Sequence, residues 1–411
     1  MAAGPQDMLA RASEARRQGR PDEAARLLEA VIAAQPENPV ALNSLGLARL
    51  GAGDLRGAIE MLERAAAADP RAPPILLNLA EAWQKAGDAL REIEALDRAL
   101  AVDAYLLPAL LRKAQALERL GRLPESAEIY RALIAATPNP DRLPDPIRQA
   151  LGHGREVVRQ DSERRAGAMA SPLARVYAAH PDADLARARA YAEHRAGLRK
   201  VYQQQPTDGH FPYLPAIEFF DRRLFPWFEA LEARTDEIVR DLVSLWDEGD
   251  SGFRPYVAFD PTQPVNQWVE LNHSPRWSAW FLWKDGVRQD AACARCRATA
   301  AAVEAVPLLD VPGKAPTVMF SILEPHTRIP PHTGSSNARS TVHLPLVIPE
   351  GCGFRVGAET REWKVGEAWA FDDTIEHEAW NESDRPRAIL ILDVWNPLLT
   401  DAERDVVRVV G

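Results

Sequence analysis

Apolar and polar positions in the first third of the chain follow a helical period that breaks at fixed intervals. Gly19, Gly53, Gly87 and Gly121 stand 34 residues apart, and Pro36, Pro70 and Pro138 keep the same phase, with Ala104 in the vacant slot. Between these marks the apolar residues form paired stripes, such as Leu42, Leu45 and Gly46 followed by Ala58, Leu62 and Ala65. Spacings of three and four predict helices. The glycines are expected to end each first helix, where a left-handed residue without a Cβ is cheapest. Small residues at Gly46, Ala80 and Ala114 predict close helix approach. Four helical pairs are expected over residues 5 to 140.

A 34-residue period of paired helices is that of tetratricopeptide repeats, an α-helical solenoid. No single pair can bury its own stripe, so stacking supplies the core and leaves a concave groove, the expected seat of a protein or peptide partner. Lys85, Lys113 and Arg112 are the candidates for gripping an acidic peptide terminus. Residues 141 to 210, with Pro144, Pro146 and the charged stretch Leu185 to Gln203, read as a helical connector. His153, His180 and His194 fall there on polar faces and are expected to be solvated.

From residue 211 to 411 the pattern changes. Aromatic residues crowd in, and a helix over Phe228 to Trp246 is expected to buttress a sheet. Short runs at Thr317 to Leu323, Thr341 to Ile348, Phe354 to Gly357, Glu362 to Val365, Ala368 to Phe371 and Ala388 to Trp395 predict strands. Strands this short, divided by Pro, Gly and Asp-Asp turns, favour a double-stranded β-helix, the jelly-roll barrel. The expected fold class is therefore multidomain α + β.

Composition narrows the partners. With 49 basic and 59 acidic residues the net charge is -10, which disfavours nucleic acid or an anionic membrane. No apolar run approaches the roughly 20 residues of a membrane span, and the N-terminus lacks the order of a signal peptide. A cytoplasmic, bacterial protein is expected. Cys293, Cys296 and Cys352 read as free thiols, and a lone Cys-x-x-Cys is a weak metal or redox motif.

The chemistry concentrates between His332 and Arg387. Two imidazoles, His332 and His377, suit a divalent first-row metal, and Arg387, ten residues after the second, can take a carboxylate in paired charge-assisted hydrogen bonds. His332 and His377 are each expected just before a strand, with Arg387 on the final one. This points to an iron site with a socket for an acidic cosubstrate. His343 reads equally as a core histidine or a donor to that cosubstrate, and Trp380 and Trp395 as packing beneath the site.

Phe320-Ser321-Ile322-Leu323, His332-Thr333-Gly334, Asn337-x-Arg339-x3-His343-Leu344, Phe371-Asp372-Asp373-x3-His377-Glu378-x-Trp380 and Asp393-Val394-Trp395-Asn396-Pro397 together resemble the aspartyl/asparaginyl β-hydroxylase family. The resemblance covers about residues 215 to 405. It implies an Fe(II)- and 2-oxoglutarate-dependent dioxygenase using O2, with His332 and His377 as iron ligands. Ser321, His343 and Arg387 would then hold 2-oxoglutarate, and Arg339 would lie near the substrate. The implied substrate is an Asp or Asn of a protein or peptide, hydroxylated at Cβ; the rival readings are a small-molecule or lipid hydroxylase and a non-catalytic sensing scaffold. Gly334 stands where most such oxygenases have a carboxylate ligand, as is usual in this family. Asp372 or Asp373 is the alternative donor. Thr341 replaces a second arginine of animal members.

Overall fold

The computed structural model describes residues 4–139, 143–181, 184–247 and 252–410. They form two compact units, residues 1–198 and 199–411.

The first unit begins with four antiparallel helix pairs: α1 Pro5–Arg17 with α2 Pro21–Ala34, α3 Pro39–Gly51 with α4 Leu55–Ala68, α5 Pro73–Ala86 with α6 Ala89–Val102, and α7 Leu107–Arg119 with α8 Leu123–Ala135. Gly19, Gly53, Gly87 and Gly121 follow the first helix of each pair, all with φ between 71° and 83°. Prolines open several helices, where the missing N–H is no loss. Pro36 and Pro70 lie just past the second helices and stop them. Leu42, Leu45, Ala58, Leu62 and Ala65 are buried in one continuous core. A Cβ on Gly46 would fall 2.7 Å from Leu62 Cγ, so glycine sets the approach of α3 and α4. The helix α9, Asp145–Ala179, packs with α7 and α8 around a separate core of Leu110, Tyr130, Leu133 and Leu151, with Gly154 against the Tyr130 ring, and α10, Ala186–Ala196, follows it. The expected boundary at residues 140 and 141 lies outside the described residues.

The second unit is an antiparallel β domain. Its strands are β1 Arg254–Pro255, β2 Trp277–Lys284, β3 Val287–Arg288, β4 Val318–Leu323, β5 Thr327–His332, β6 Arg339–Val347, β7 Cys352–Val356, β8 Glu359–Arg361, β9 Trp369–Phe371, β10 His377–Asn381 and β11 Arg387–Trp395. One sheet has the order β1-β2-β4-β11-β6-β9, with β3 added to β2; the other is β5-β10-β7-β8. The strand expected at Glu362 to Val365 lies three residues earlier, because the two-residue turn Gly357-Ala358 pairs Val356 with Glu359 and Phe354 with Arg361. The single helix expected over Phe228 to Trp246 is two, α11 Phe228–Glu232 and α12 Thr235–Asp247.

Period-two alternation sorts the large sheet into two faces. Phe320 and Ile322 on β4, Val342 and Leu344 on β6, and Leu390 and Leu392 on β11 pack against Ile238, Leu242 and Leu245 of α12. The same core takes residues from two further helices, α13 Asp290–Arg295 and α14 Arg297–Glu304. Cys293 and Cys296 are buried in that core as reduced cysteines, Cys293 donating to Leu282 O at 3.5 Å. The opposite face looks toward the small sheet, where Ile329, Phe354, Val356, Phe371 and Ile389 form a second core.

Candidate metal and carboxylate site

Alternation carries the polar residues of that inner face to one place. Ser321 of β4, Arg339, Thr341 and His343 of β6, and Arg387 and Asp393 of β11 line a cavity of about 580 Å³. His332, at the end of β5, and His377, at the start of β10, line the same cavity. Both histidines thus belong to strands rather than preceding them.

His332 and His377 are register partners in the β5–β10 ladder, and their ring centroids are 4.1 Å apart. Nδ1 of His332 donates to Pro330 O at 2.8 Å, and Nδ1 of His377 to Ile375 O at 3.0 Å. A carbonyl can only accept, so each Nδ1 carries the proton and each Nε2 keeps its lone pair. Burial, then the proximity of His377, pushes the His332 pKa down to about 3; burial, then the Arg339 charge, takes His377 to about 4. Both imidazoles are neutral at physiological pH, the state a metal requires.

Arg387 is 1% exposed, yet its Nε and Nη1 have no partner. Its guanidinium lies 4.8 Å from the centroid of Trp363. Desolvation pulls its pKa down to about 10, which still leaves it charged. A buried, unpaired guanidinium is costly unless an anion completes it. Ser321 Oγ accepts from Trp277 Nε1 at 3.1 Å, which leaves its own proton to donate. His343 is buried between Phe354 and Phe371, with ring centroids 4.9 Å from each and Nδ1 unpartnered. Burial and then Arg387 hold its pKa well below the usual histidine value.

The two aspartates before His377 differ. Asp372 is turned away, its carboxylate accepting from Thr374 N, Thr374 Oγ1 and Gln204 Nε2. Asp373 lines the cavity, and a Cβ on Gly334 would fall 2.2 Å from its Oδ2. The Asp373 carboxylate therefore fills the space that a side chain at 334 would occupy, and Gly334 leaves room for it. Arg339 donates through Nη2 to Asp373 Oδ2 and lies 3.5 Å from Asp393 Oδ2 through Nη1. Among the described residues no group of three or more His, Cys, Asp or Glu is placed to hold a metal ion.

Trp380 and Trp395 do not line the cavity. Trp380 covers Gly353 and stacks with Arg328, and Trp395 donates to Asp310 at 2.9 Å. The indoles at the site are Trp277 and Trp268, the latter 5.0 Å from His332, with Trp363 beside Arg387. In the repeats, Lys85 and Arg112 pair with Glu81, and Lys113 with Asp97. His153, His180 and His194 are exposed.

Residues 232–397 match the aspartyl/asparaginyl beta-hydroxylase family, and residues 9–73, 44–106 and 93–139 match tetratricopeptide repeats. The chain thus joins a repeat array to a hydroxylase-type β domain. That β domain belongs to the aspartyl/asparaginyl beta-hydroxylase family. Aspartyl/asparaginyl beta-hydroxylase of Homo sapiens is 33% identical over 214 residues, covering 50% of this chain and 27% of that protein. Ornithine lipid ester-linked acyl 2-hydroxylase of Rhizobium tropici is 32% identical over 187 residues, covering 44% of this chain and 62% of that protein. The chain spans less than two thirds of either relative. The crystal structure of MamA aligns with 37% of this chain and 81% of its own at 23% identity and a TM-score of 0.33. No described helix is long and apolar enough to cross a membrane.

Proposed function

We propose that the β domain is an Fe(II)- and 2-oxoglutarate-dependent dioxygenase that hydroxylates the β-carbon of an Asp or Asn in a protein or peptide, and that its two sheets form a double-stranded β-helix. In this reading residues 1–140 are a repeat array that binds the polypeptide, 141–210 a connector and 211–411 the cytoplasmic catalytic domain. The carrying observation is one cavity that holds two neutral, carbonyl-oriented imidazoles and a buried guanidinium whose Nε and Nη1 have no hydrogen-bond partner.

His332 and His377 would hold the iron through Nε2, their rings fixed by the Nδ1 hydrogen bonds. Fe(II), with 2-oxoglutarate and O2, supplies oxidative decarboxylation and C–H hydroxylation when bound. Arg387 takes the distal carboxylate of 2-oxoglutarate, assisted by the Ser321 hydroxyl, and Trp363 holds the guanidinium plane. His343 donates from Nδ1 to the same cosubstrate. Arg339 and Asp373 wall the substrate side, while Phe354 and Phe371 exclude water, so the protein contributes orientation and a dry, charge-matched cavity.

Anaerobic titration with Mn(II) should give one site per chain, and 2-oxoglutarate should then bind in a manner that depends on Arg387. Succinate formed aerobically with Fe(II) tests turnover; a chain that binds neither ligand removes this reading. The similarity to a protein named as a lipid acyl 2-hydroxylase favours a second reading, in which the same centre hydroxylates a lipid or small molecule and the repeats serve assembly. A non-catalytic scaffold would bind 2-oxoglutarate without forming succinate.

A further inference from the structure

The cavity contains two cationic side chains among the described residues, Arg339 and Arg387. If Arg387 serves the cosubstrate, recognition of a substrate carboxylate would fall to Arg339. That guanidinium is already answered twice, by Asp373 through Nη2 and by Asp393 at 3.5 Å through Nη1. Asp393 Oδ2 is itself held by Thr317 N at 2.9 Å. Thr341, the next residue of β6 facing inward, brings no second positive charge. One guanidinium against two carboxylates leaves this trio with one negative charge, or none if the buried Asp393 takes a proton. In neither state is the trio positive.

Two atoms of the trio remain buried without partners: Arg339 Nε, a donor, and Asp373 Oδ1, an acceptor. Asp373 is 6% exposed. A carboxamide is complementary to that pair, since its carbonyl oxygen can accept from Nε and its NH2 can donate to Oδ1. A carboxylate has only acceptors and would set a second anion beside Oδ1. Resting on the hydroxylase reading above, we propose that this cavity takes a carboxamide in preference to a carboxylate at the reacting side chain, so that the substrate residue is asparagine rather than aspartate. The overall reaction is unchanged: one atom of O2 enters the Cβ–H bond as hydroxyl, and the other goes into succinate as 2-oxoglutarate loses CO2.

The test uses the full chain, loaded with Fe(II) and 2-oxoglutarate, and two degenerate peptide pools. The pools share the same randomised flanks, free of Asn and Asp, and differ only in a central Asn or Asp. Hydroxylation is read as added oxygen mass at the central residue. Asn should exceed Asp by at least tenfold in initial rate, as expected when a site built for a hydrogen-bonding pair meets the wrong partner. Asp393→Asn removes one of the charges answering Arg339 and should narrow that ratio several-fold. Equal or greater hydroxylation of the Asp pool overturns the proposal. So does the absence of hydroxylation in both pools by protein that still binds Mn(II) and 2-oxoglutarate, an outcome that leaves the iron and cosubstrate reading standing. Failure to bind either ligand removes both.

Discussion

The repeat array and the β domain treat buried polar groups in opposite ways. Among the described residues of the first unit, one side-chain atom, Oε1 of Glu92, is buried without a hydrogen bond. Among the described residues of the β domain there are ten such atoms: five line the cavity, on Arg339, His343, Asp373 and Arg387, and five lie outside it, on Trp280, Ser340, Trp363, Trp369 and Arg404. Leaving a buried polar group unpaired costs about 1–3 kcal/mol, and more for a charge. The array avoids that cost with small apolar residues and short-range ion pairs, whereas the cavity keeps groups that a ligand would complete. Orphaned atoms that converge on one cavity, rather than orphaned atoms as such, therefore distinguish a region organised for binding from one organised for packing.

The largest effect should come from the imidazole pair. His332→Ala or His377→Ala is expected to abolish Mn(II) binding and succinate formation, because two protein donors leave no redundancy. Near-normal metal affinity in either variant, measured by anaerobic titration, would remove that histidine from the site. Arg387→Ala should raise the 2-oxoglutarate requirement by about 10- to 100-fold, the equivalent of about 1.5–3 kcal/mol for charged hydrogen bonds. Arg385 is exposed in the preceding turn, and its alanine variant should bind 2-oxoglutarate normally.

On the array side, Gly46→Val should destabilise the first unit by about 1–3 kcal/mol through overpacking against Leu62. Urea melts that follow helical signal and cavity ligand binding separately would show whether the damage stays in the array. A chain of residues 199–411 should retain Mn(II) and 2-oxoglutarate affinity and lose rate on polypeptide only, because remote binding energy positions the target. Unchanged peptide turnover would shift the choice toward a lipid or small-molecule hydroxylase.

The smallest effect is the most diagnostic of imidazole state. The folded pKa values of about 3 and about 4 lie below the ordinary histidine value, so at pH 5.5 to 8 metal binding displaces no proton from either ring. Mn(II) affinity should be flat over that range and fall only as pH approaches 4. Stability of the metal-free protein should decline as pH drops below about 6.5, where the unfolded chain's histidines gain protons that the folded ones refuse. An affinity that rises steadily from pH 5.5 to 8 would mean that at least one ring is protonated in the free protein.

The array was legible because its period is written several times over, in glycine, proline and small-residue positions that agree. The β domain was only partly so. Strand β2 is buried on both faces and shows no alternation, and β10, His377–Asn381, is largely polar. Strand β5 contains Pro330 and Pro331, which argue against a strand; it is tolerated because β5 is the edge of its sheet. The spacing of His332, His377 and Arg387 pointed to the cavity that the structure forms around them. It could not separate Asp372 from Asp373, since that depends on which carboxylate the Thr374 turn captures. Nor could it find Trp363 beside Arg387, because that residue follows a strand that ends earlier than its sequence pattern suggests.

Since His332 and His377 face each other across one rung of the β5–β10 ladder, the separation of the two rings is fixed by strand spacing and not by the 44 positions between them in the chain. Loops within that interval can lengthen, shorten or change composition over evolution without altering the bite offered to a metal. A single-residue slip of either strand, however, would turn one imidazole to the opposite face and end the pairing at once. The segment is thus free to diversify around a spacing it cannot gradually detune.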